Sequence, residues 1–362
     1  MGGIVYILNL IQTLDFLDDE DKPEIVLFYR PDLEKFVNEI TYPYFKAVEW
    51  TFPSVYKGYL KSWLVRKNIF VHDILEQYDL DSLYPVPDFP VKTKSKTKLV
   101  SWYADLQHEY YPEFFTKRKI IERNARIKFM LMNCNTLIVS SQAVADDFAK
   151  FFTLPKSLKI KVFHFVSIVN VADGMDIPQL RVKYNLPIRY FMISNQFPKH
   201  KNHKILFKTL ILLKKQGLSV HFVITGRMPS ETTSNYGKEL HDLINNNYLQ
   251  DQISLVGVIP RNEQLALMKF SQAVIQPSLF EGWSTVIEDA KSLQVPVIAS
   301  DIPANKEQLS HTGTYFNPQN ENQLADILID FPERSITEKF YADYNLRVKE
   351  AAQELVSIFS DK

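Results

Sequence analysis

The chain is 362 residues long, enough for about two domains, and its 46% hydrophobic and 23% charged residues are those of a globular protein, which excludes overall disorder. The 42 Lys and Arg balance the 42 Asp and Glu, so formal net charge is zero and a globally basic nucleic-acid binder is excluded. Only 10 glycines occur, neither G-x-G-x-x-G nor G-x-x-x-x-G-K-[ST] is present, and the single cysteine, Cys134, can form no internal disulfide. A fingerprint dehydrogenase, a P-loop NTPase and a Cys-based zinc site all lose their markers.

In chain order, Gly2-Gly3-Ile4-Val5-Tyr6 reads as a glycine loop leading into a helix, with no basic region or cleavage site of a secretory signal around it. No apolar run reaches the ~18 residues of a membrane span, so a cytoplasmic protein is expected. Strands are predicted over 24–29, 98–103, 136–140 and 159–165, with helices over 31–40, 117–132 and 141–152. The interval 171–187 bears Asp and Pro and reads as an irregular linker. A second series of strands follows over 190–194, 220–225, 253–256, 273–277 and 295–299. Helices over 204–216, 236–247, 261–270 and 285–294 alternate with them, and a last helix is predicted over 335–359. Strand–helix alternation run twice predicts two doubly wound parallel sheets, with a ligand crevice at the carboxyl ends of the strands and between the domains.

The stretch from Ala273 to Leu309 is the most informative. A buried strand ends near Pro277, a loop runs to Trp283, and Ser284 is placed to cap a helix that starts at Thr285. Free N–H groups and the positive end of that helix form a ready phosphate site. Glu281 on the loop and Glu288 inside the helix are poor phosphate ligands but good acceptors for sugar hydroxyls. The chemistry suggested is recognition of a sugar nucleotide.

With its second acid read at Glu288, this stretch resembles the E-x7-E signature of the family-four retaining glycosyltransferases (glycosyl transferases group 1), which have the GT-B fold. The flanking Pro277-Ser278-Leu279-Phe280-Glu281-Gly282 and Val295-Pro296-Val297-Ile298-Ala299 phrases agree. The resemblance implies that Glu281 contacts donor-sugar hydroxyls and Glu288 the ribose, and that Gly282, Trp283, Ser284 and Thr285 offer contacts to sugar and diphosphate. It implies a diphosphate clamp after the strand at 190–194, where Lys201 matches the family's lysine. The arginine position falls on neutral Asn195 or Gln196, which leaves Lys201, helped by Lys199 or Arg227, to offset the charge of the leaving diphosphate. Val258 and Ile259 correspond to the loop that packs on the nucleobase. His200 and His203 have metal-ligand spacing without a third ligand and read as surface residues.

In the first half, Asp105-Leu106-Gln107-His108 and Pro112-Glu113-Phe114-Phe115 resemble a phrase of a subset of this family, in which a histidine on an open loop reaches the donor sugar or the acceptor. Gly2, Gly3, Asp105 and Gln107 are the acceptor-side candidates. The basic segment from Lys117 to Lys128 reads as a solvated helix face or as a peripheral contact with the inner face of an anionic membrane. Asp19-Glu20-Asp21 and Asp79-Leu80-Asp81 invite a metal-dependent reading, but neither directly follows a buried strand, and no catalytic metal is expected.

The resemblance therefore implies a GT-B protein with an acceptor-side domain over 1–175, completed by a C-terminal helix over 336–362, and a nucleotide-sugar domain over 188–335. The strand that would precede Gly2 in such a sheet is missing from the sequence. The implied activity is metal-independent transfer of a hexose, with retention, from a nucleotide sugar to a hydroxyl of a glycan or lipid-linked glycan in cell-surface polysaccharide synthesis. The nucleotide sugar is a substrate, no cofactor is needed and no nucleic acid is bound. A non-catalytic sugar-nucleotide-binding subunit and a nucleotide-sugar epimerase of the same fold remain as alternatives, and the donor base, hexose, acceptor and oligomeric state stay open.

Overall fold

The computed structural model describes residues 2–86, 91–169, 176–232 and 234–360. The chain divides into two compact units, one made of Met1–Val166 with Asn345–Lys362 and the other of Ser167–Tyr344.

The first unit runs α1 (Gly2–Leu14), β1 (Ile25–Tyr29), α2 (Glu34–Val37), β2 (Phe45–Glu49), α3 (Val55–Val65), α4 (His72–Gln77), β3 (Ser82–Leu83), β4 (Lys98–Tyr103), α5 (Gln107–Tyr110), α6 (Lys117–Asn133), β5 (Thr136–Val139), α7 (Gln142–Phe151) and β6 (Lys159–Val162). Among the described residues β1 and β2 form one parallel pair, and β3-β4-β5-β6 form a separate parallel sheet. Val100, Leu137, Ile138 and Val139 are wholly enclosed, as strands covered on both faces require. Thr116 and Ser141 cap α6 and α7 by accepting from Lys119 N and Val144 N. The expected glycine loop is not formed: Gly2 and Gly3 are the first residues of α1, and a Cβ at Gly3 would meet nothing within 4 Å. The helix instead buries Leu10, Ile11 and Leu14 and stacks Tyr6 on Trp102 at 4.4 Å.

The second unit runs α8 (Ile177–Tyr184), β7 (Phe191–Ser194), α9 (His203–Lys215), β8 (Phe222–Thr225), α10 (Asn235–Asn246), β9 (Ile253–Gly257), α11 (Arg261–Lys269), β10 (Val274–Gln276), α12 (Thr285–Ser292), β11 (Val297–Ser300), α13 (Pro303–Leu309), β12 (Thr314–Phe316) and α14 (Glu321–Ile329). Its six strands are all parallel in the order β12-β11-β10-β7-β8-β9. Counted from the start of the unit this is 3-2-1-4-5-6, whose direction reverses between β7 and β10. In doubly wound sheets the loops that leave the carboxyl ends of such a pair of strands are the usual place of a ligand site. One apolar cluster built on Ile193, Phe207, Phe222 and Ile275 fills one face of the sheet, and another built on Met192, Val223, Ile287 and Val297 fills the other.

Two expectations are corrected here. Of the expected linker, residues 170–175 lie outside the described residues, but Ile177–Tyr184 is a helix. Asp176 caps it, Pro178 sits in its first turn, Asn185 closes it in the left-handed region, and Ile177 and Leu180 are buried. The last helix, α15 (Tyr344–Ser360), starts nine residues later than 335. The preceding stretch is held open because the Phe340 and Tyr341 N–H groups both donate to Gln294 Oε1 at 2.9 Å. From Asn345 onward α15 belongs to the first unit, where Lys98 Nζ donates to Ile358 O at 2.7 Å and Arg347 to His164 O at 2.6 Å.

Candidate functional site at the switch point

The loops after β7 and β10 carry a continuous polar network. Gln276 ends β10 and is completely buried. Its Oε1 accepts from Asn195 Nδ2 at 2.8 Å, just past the end of β7. Its Nε2 donates to Glu281 Oε1 at 2.8 Å and lies 3.3 Å from Ser278 Oγ. The same Glu281 oxygen accepts from Lys201 Nζ at 2.5 Å. Both side chains of the ion pair are largely enclosed, 19% exposed for Lys201 and 10% for Glu281. Glu281 Oε2 accepts no hydrogen bond from the described residues, so one carboxylate edge is fixed and the other is open for a donor. The two loops are also stitched through the backbone, Leu279 N donating to His200 O at 2.7 Å.

Next to this network α12 begins. Ser284 caps it, accepting from Ile287 N at 3.3 Å, and Ser284 N itself donates to Gln308 Oε1 at 3.0 Å. The N–H groups of Thr285 and Val286 have no acceptor among the described residues, and the Thr285 side chain is exposed. Gly282 and Ser284 are buried, and Trp283 is half-buried. The neighbouring loop turns at Gly226, whose φ is +98° and where a Cβ would sit 2.4 Å from Asn195 O, so only glycine fits this close approach. It presents Arg227, which is exposed and donates its N–H to Gln196 Oε1 at 3.1 Å. After β9, Val258 is 67% exposed while Ile259 packs on the core.

Two histidines depart from expectation. His203 is wholly buried and stacked on Phe197 at 3.9 Å, and neither ring nitrogen has a partner. Burial pushes its pKa down to about 3, and burial with the Lys201 charge pushes His200 down to about 4. Both rings are neutral at pH 7, which leaves Lys201 as the cation of this loop at the network.

The second acid is also corrected. Six residues, not seven, separate Glu281 from Glu288, so the acidic position of an E-x7-E pattern falls on Asp289. Neither residue is an open acceptor. Glu288 is 1% exposed; its Oε1 accepts from Gln308 Nε2 at 2.8 Å and Lys291 Nζ at 3.2 Å, and its Oε2 accepts from Tyr344 OH at 2.7 Å. Asp289 Oδ1, as deeply buried, accepts from Ser167 Oγ at 2.6 Å and Arg261 at 2.5 Å. Ser167 N in turn donates to Tyr344 OH at 2.9 Å. Through Ser167 and Tyr344, the acidic pair of α12 holds the first and last residues of the second unit.

The first-unit candidates lie within their own unit. His108 is not on an open loop. It belongs to α5, is 1% exposed, and its Nε2 is 2.7 Å from Asn124 Oδ1 while Nδ1 has no partner. Asp105 Oδ1 accepts from Gln107 N at 3.0 Å, which starts the turn that carries the histidine inward. Gln276, Asp289, Arg261 and Gln308 were not legible as site residues. The residue count from Glu281 points to Asp289, and a glutamine ending the apolar run Ala273-Val274-Ile275 is the signal for Gln276.

A strand order that reverses between β7 and β10, with a helix start at the reversal, is the arrangement of doubly wound nucleotide-binding α/β proteins. Residues 178–353 match the model of the family described as glycosyl transferases group 1. The O-antigen chain mannosyltransferase RfbU of Salmonella typhimurium is 26% identical over 218 residues, 60% of this chain and 56% of that protein, so the chain spans about half the length of this curated relative. Among solved structures, HepE of Anabaena, crystallised with UDP and glucose, superposes with a TM-score of 0.62 at 18% identity over 99% of this chain and 91% of that one. A glycosyltransferase of Rickettsia africae gives 0.62 at 14% identity over 98% and 96%. The fold is GT-B, and residues 178–353 resemble the group 1 family.

Proposed function

We propose that the protein is a retaining hexosyltransferase that takes its sugar from a nucleotide donor and passes it to a hydroxyl of a glycan or lipid-linked glycan. The observation that carries this reading is Glu281, held on one oxygen by Lys201 and Gln276 and open on the other, beside the free N–H groups of Thr285 and Val286. In this reading the open Glu281 oxygen accepts hydroxyls of the donor sugar. The start of α12 receives the diphosphate, with Lys201 and Arg227 as counter-charges. The Val258 loop lies against the base, and the match of the acidic pattern to Asp289 leaves the ribose to groups around Arg261 rather than to Glu288. The name of the Salmonella relative supports a cell-surface glycan as product, and the UDP and glucose held by the Anabaena protein support a nucleotide-sugar donor.

The bond from the anomeric carbon to the diphosphate oxygen breaks while the acceptor oxygen bonds to the same face. The acceptor proton passes to the released diphosphate. The protein's part is to orient both partners and to stabilise charge that grows on the leaving group, which the lysine and backbone N–H groups are placed to do. The reading assigns the reaction no resident metal or cofactor, since the nucleotide sugar is consumed as substrate.

Glu281→Gln keeps the shape and loses the charged acceptor. It is expected to lower turnover of a radiolabelled nucleotide sugar by about 100-fold while the melting temperature stays within about 2 °C. Near-normal turnover refutes the assignment. Wild-type protein that binds a UDP-, GDP- or dTDP-sugar but never consumes it is instead a binding subunit, and isomerised sugar without acceptor makes it an epimerase.

A further inference from the structure

Helix α3 is built inside out. Its large apolar side chains Tyr56, Leu60, Trp63 and Leu64 are 86, 61, 64 and 64% exposed. They stand at i, i+4, i+7 and i+8, which puts them in one stripe on one face of the helix. The face turned inward carries the small residues Gly58 and Ser62. A methyl on Gly58 would lie 2.1 Å from the Phe70 ring, so the helix docks by close approach of that ring to its backbone. Ser62 Oγ accepts from Ile69 N at 3.3 Å on the same side. The helix is thus anchored through Gly58, Ser62 and the partly buried Tyr59, which packs on Phe70, and its apolar stripe is left uncovered.

Charge identifies the occupant. Lys57, Lys61, Arg66 and Lys67 are exposed on and just after α3, and no Asp or Glu occurs anywhere from position 50 to 72. A second copy of the chain would bring the same four cations face to face across a symmetric contact, and their repulsion opposes pairing. An anionic lipid surface meets both demands. Headgroup phosphates take the cations, acyl chains take the leucines, and Trp and Tyr settle at the boundary between them. The helix has only 11 residues and no described helix is long and apolar enough to cross a membrane. The basic helix α6, by contrast, exposes only the separated Ile121 and Met132 among its large apolar residues. We propose that α3 is an interfacial docking helix for an anionic bilayer, lying in the headgroup plane with Leu60, Trp63 and Leu64 inserted. This holds whether or not the protein transfers a sugar.

Flotation of the full chain with vesicles of phosphatidylcholine alone, or mixed equally with phosphatidylglycerol, tests it. The protein should float with the mixed vesicles, and its affinity for neutral ones should be lower by about tenfold or more. W63S combined with L64S should abolish flotation without lowering the melting temperature, because both side chains are exposed. K57Q combined with K61Q should weaken binding to mixed vesicles by about tenfold or more. No flotation of the wild type, or flotation untouched by W63S and L64S, overturns the proposal. So does a concentration-dependent dimer in sedimentation that the serine variant loses, which would assign the stripe to a second copy.

Discussion

Gln276 shows how a neutral side chain can set a charged one. It is enclosed at the end of β10, and an enclosed amide must satisfy both ends. Asn195 donates to its oxygen, so its nitrogen faces Glu281. The carboxylate is held on one oxygen and offered on the other. Glu281 and Lys201 stood out in the sequence, because polar residues just past the carboxyl end of an apolar strand have few structural uses, and the structure pairs them. Gln276 did not stand out, because one glutamine in an apolar run carries no pattern, and a seven-residue gap after Glu281 ends on Asp289 rather than Glu288. His203 was also misplaced: for want of a third ligand beside its metal-like spacing it read as a surface residue, whereas stacking on Phe197 draws it into the core. Its lowered pKa has a consequence for stability. Between pH 6.5 and about 3 the unfolded chain holds a proton on this ring that the folded chain does not, so stability from His203 is present above the unfolded value and is lost as pH falls through that window. His203→Phe keeps the stacked ring and removes the titration. Urea unfolding at pH 7 and pH 4.5 should show a smaller acid loss for the variant, by up to about 1.4 kcal/mol per pH unit. Equal losses would mean that the ring titrates normally.

At the scale of elements, β7, β8, β10 and β11 were legible because each is a short apolar run buried on both faces, and the edge strand β9 because Ile253, Leu255 and Val256 mark it; the observed ends of these five differ from the expected ones by two residues or fewer. The three-residue β12 escaped notice because too few residues alternate to give a period. α8 was hidden behind Asp176 and Pro178, which punctuate a loop as readily as they start a helix. α3 carries a helical stripe, but the stripe faces outward, so periodicity alone would have placed it in the core. Packing between elements depends on one residue with no sequence signal. Arg334 is 8% exposed and donates to Lys269 O at 2.7 Å, Ser271 O at 2.8 Å and Gln294 O at 2.9 Å. These carbonyls lie at or just past the ends of α11 and α12, where helices leave acceptors unpaired. Arg334→Leu would strand three buried acceptors and should cost about 3 kcal/mol. A drop in the urea midpoint with an unchanged slope is the expected readout. A loss below about 0.5 kcal/mol would show that water reaches those carbonyls.

At the scale of the molecule, the second unit is a continuous segment inserted into the first, which is completed by α15. Such an arrangement demands that the two ends of the inserted unit lie together, and they do. Tyr344 OH accepts from Ser167 N at 2.9 Å, and the pair is anchored to Glu288 and Asp289 on α12. Both apolar clusters that flank the six-stranded sheet draw their buried members from within the unit. A segment with its own core and adjoining ends has what independent folding needs. Residues 167–344 expressed alone are therefore expected to unfold in one cooperative transition. Under the function proposed above, the isolated unit should also bind the nucleotide diphosphate of the donor, because Asn195, Lys201, Glu281 and the start of α12 all lie inside it. A saturating nucleotide, at about 100 times its dissociation constant, would then stabilise the fragment by about 2.7 kcal/mol. The first unit has no such independence at its carboxyl end. Val348, Ala351, Ala352, Leu355 and Ile358 of α15 are buried, so a chain ending at Tyr344 exposes their partners and should be less soluble than the full chain. If instead the fragment 167–344 is molten and the chain ending at Tyr344 is stable, the core boundaries drawn here are wrong, and urea titrations of the two proteins decide it.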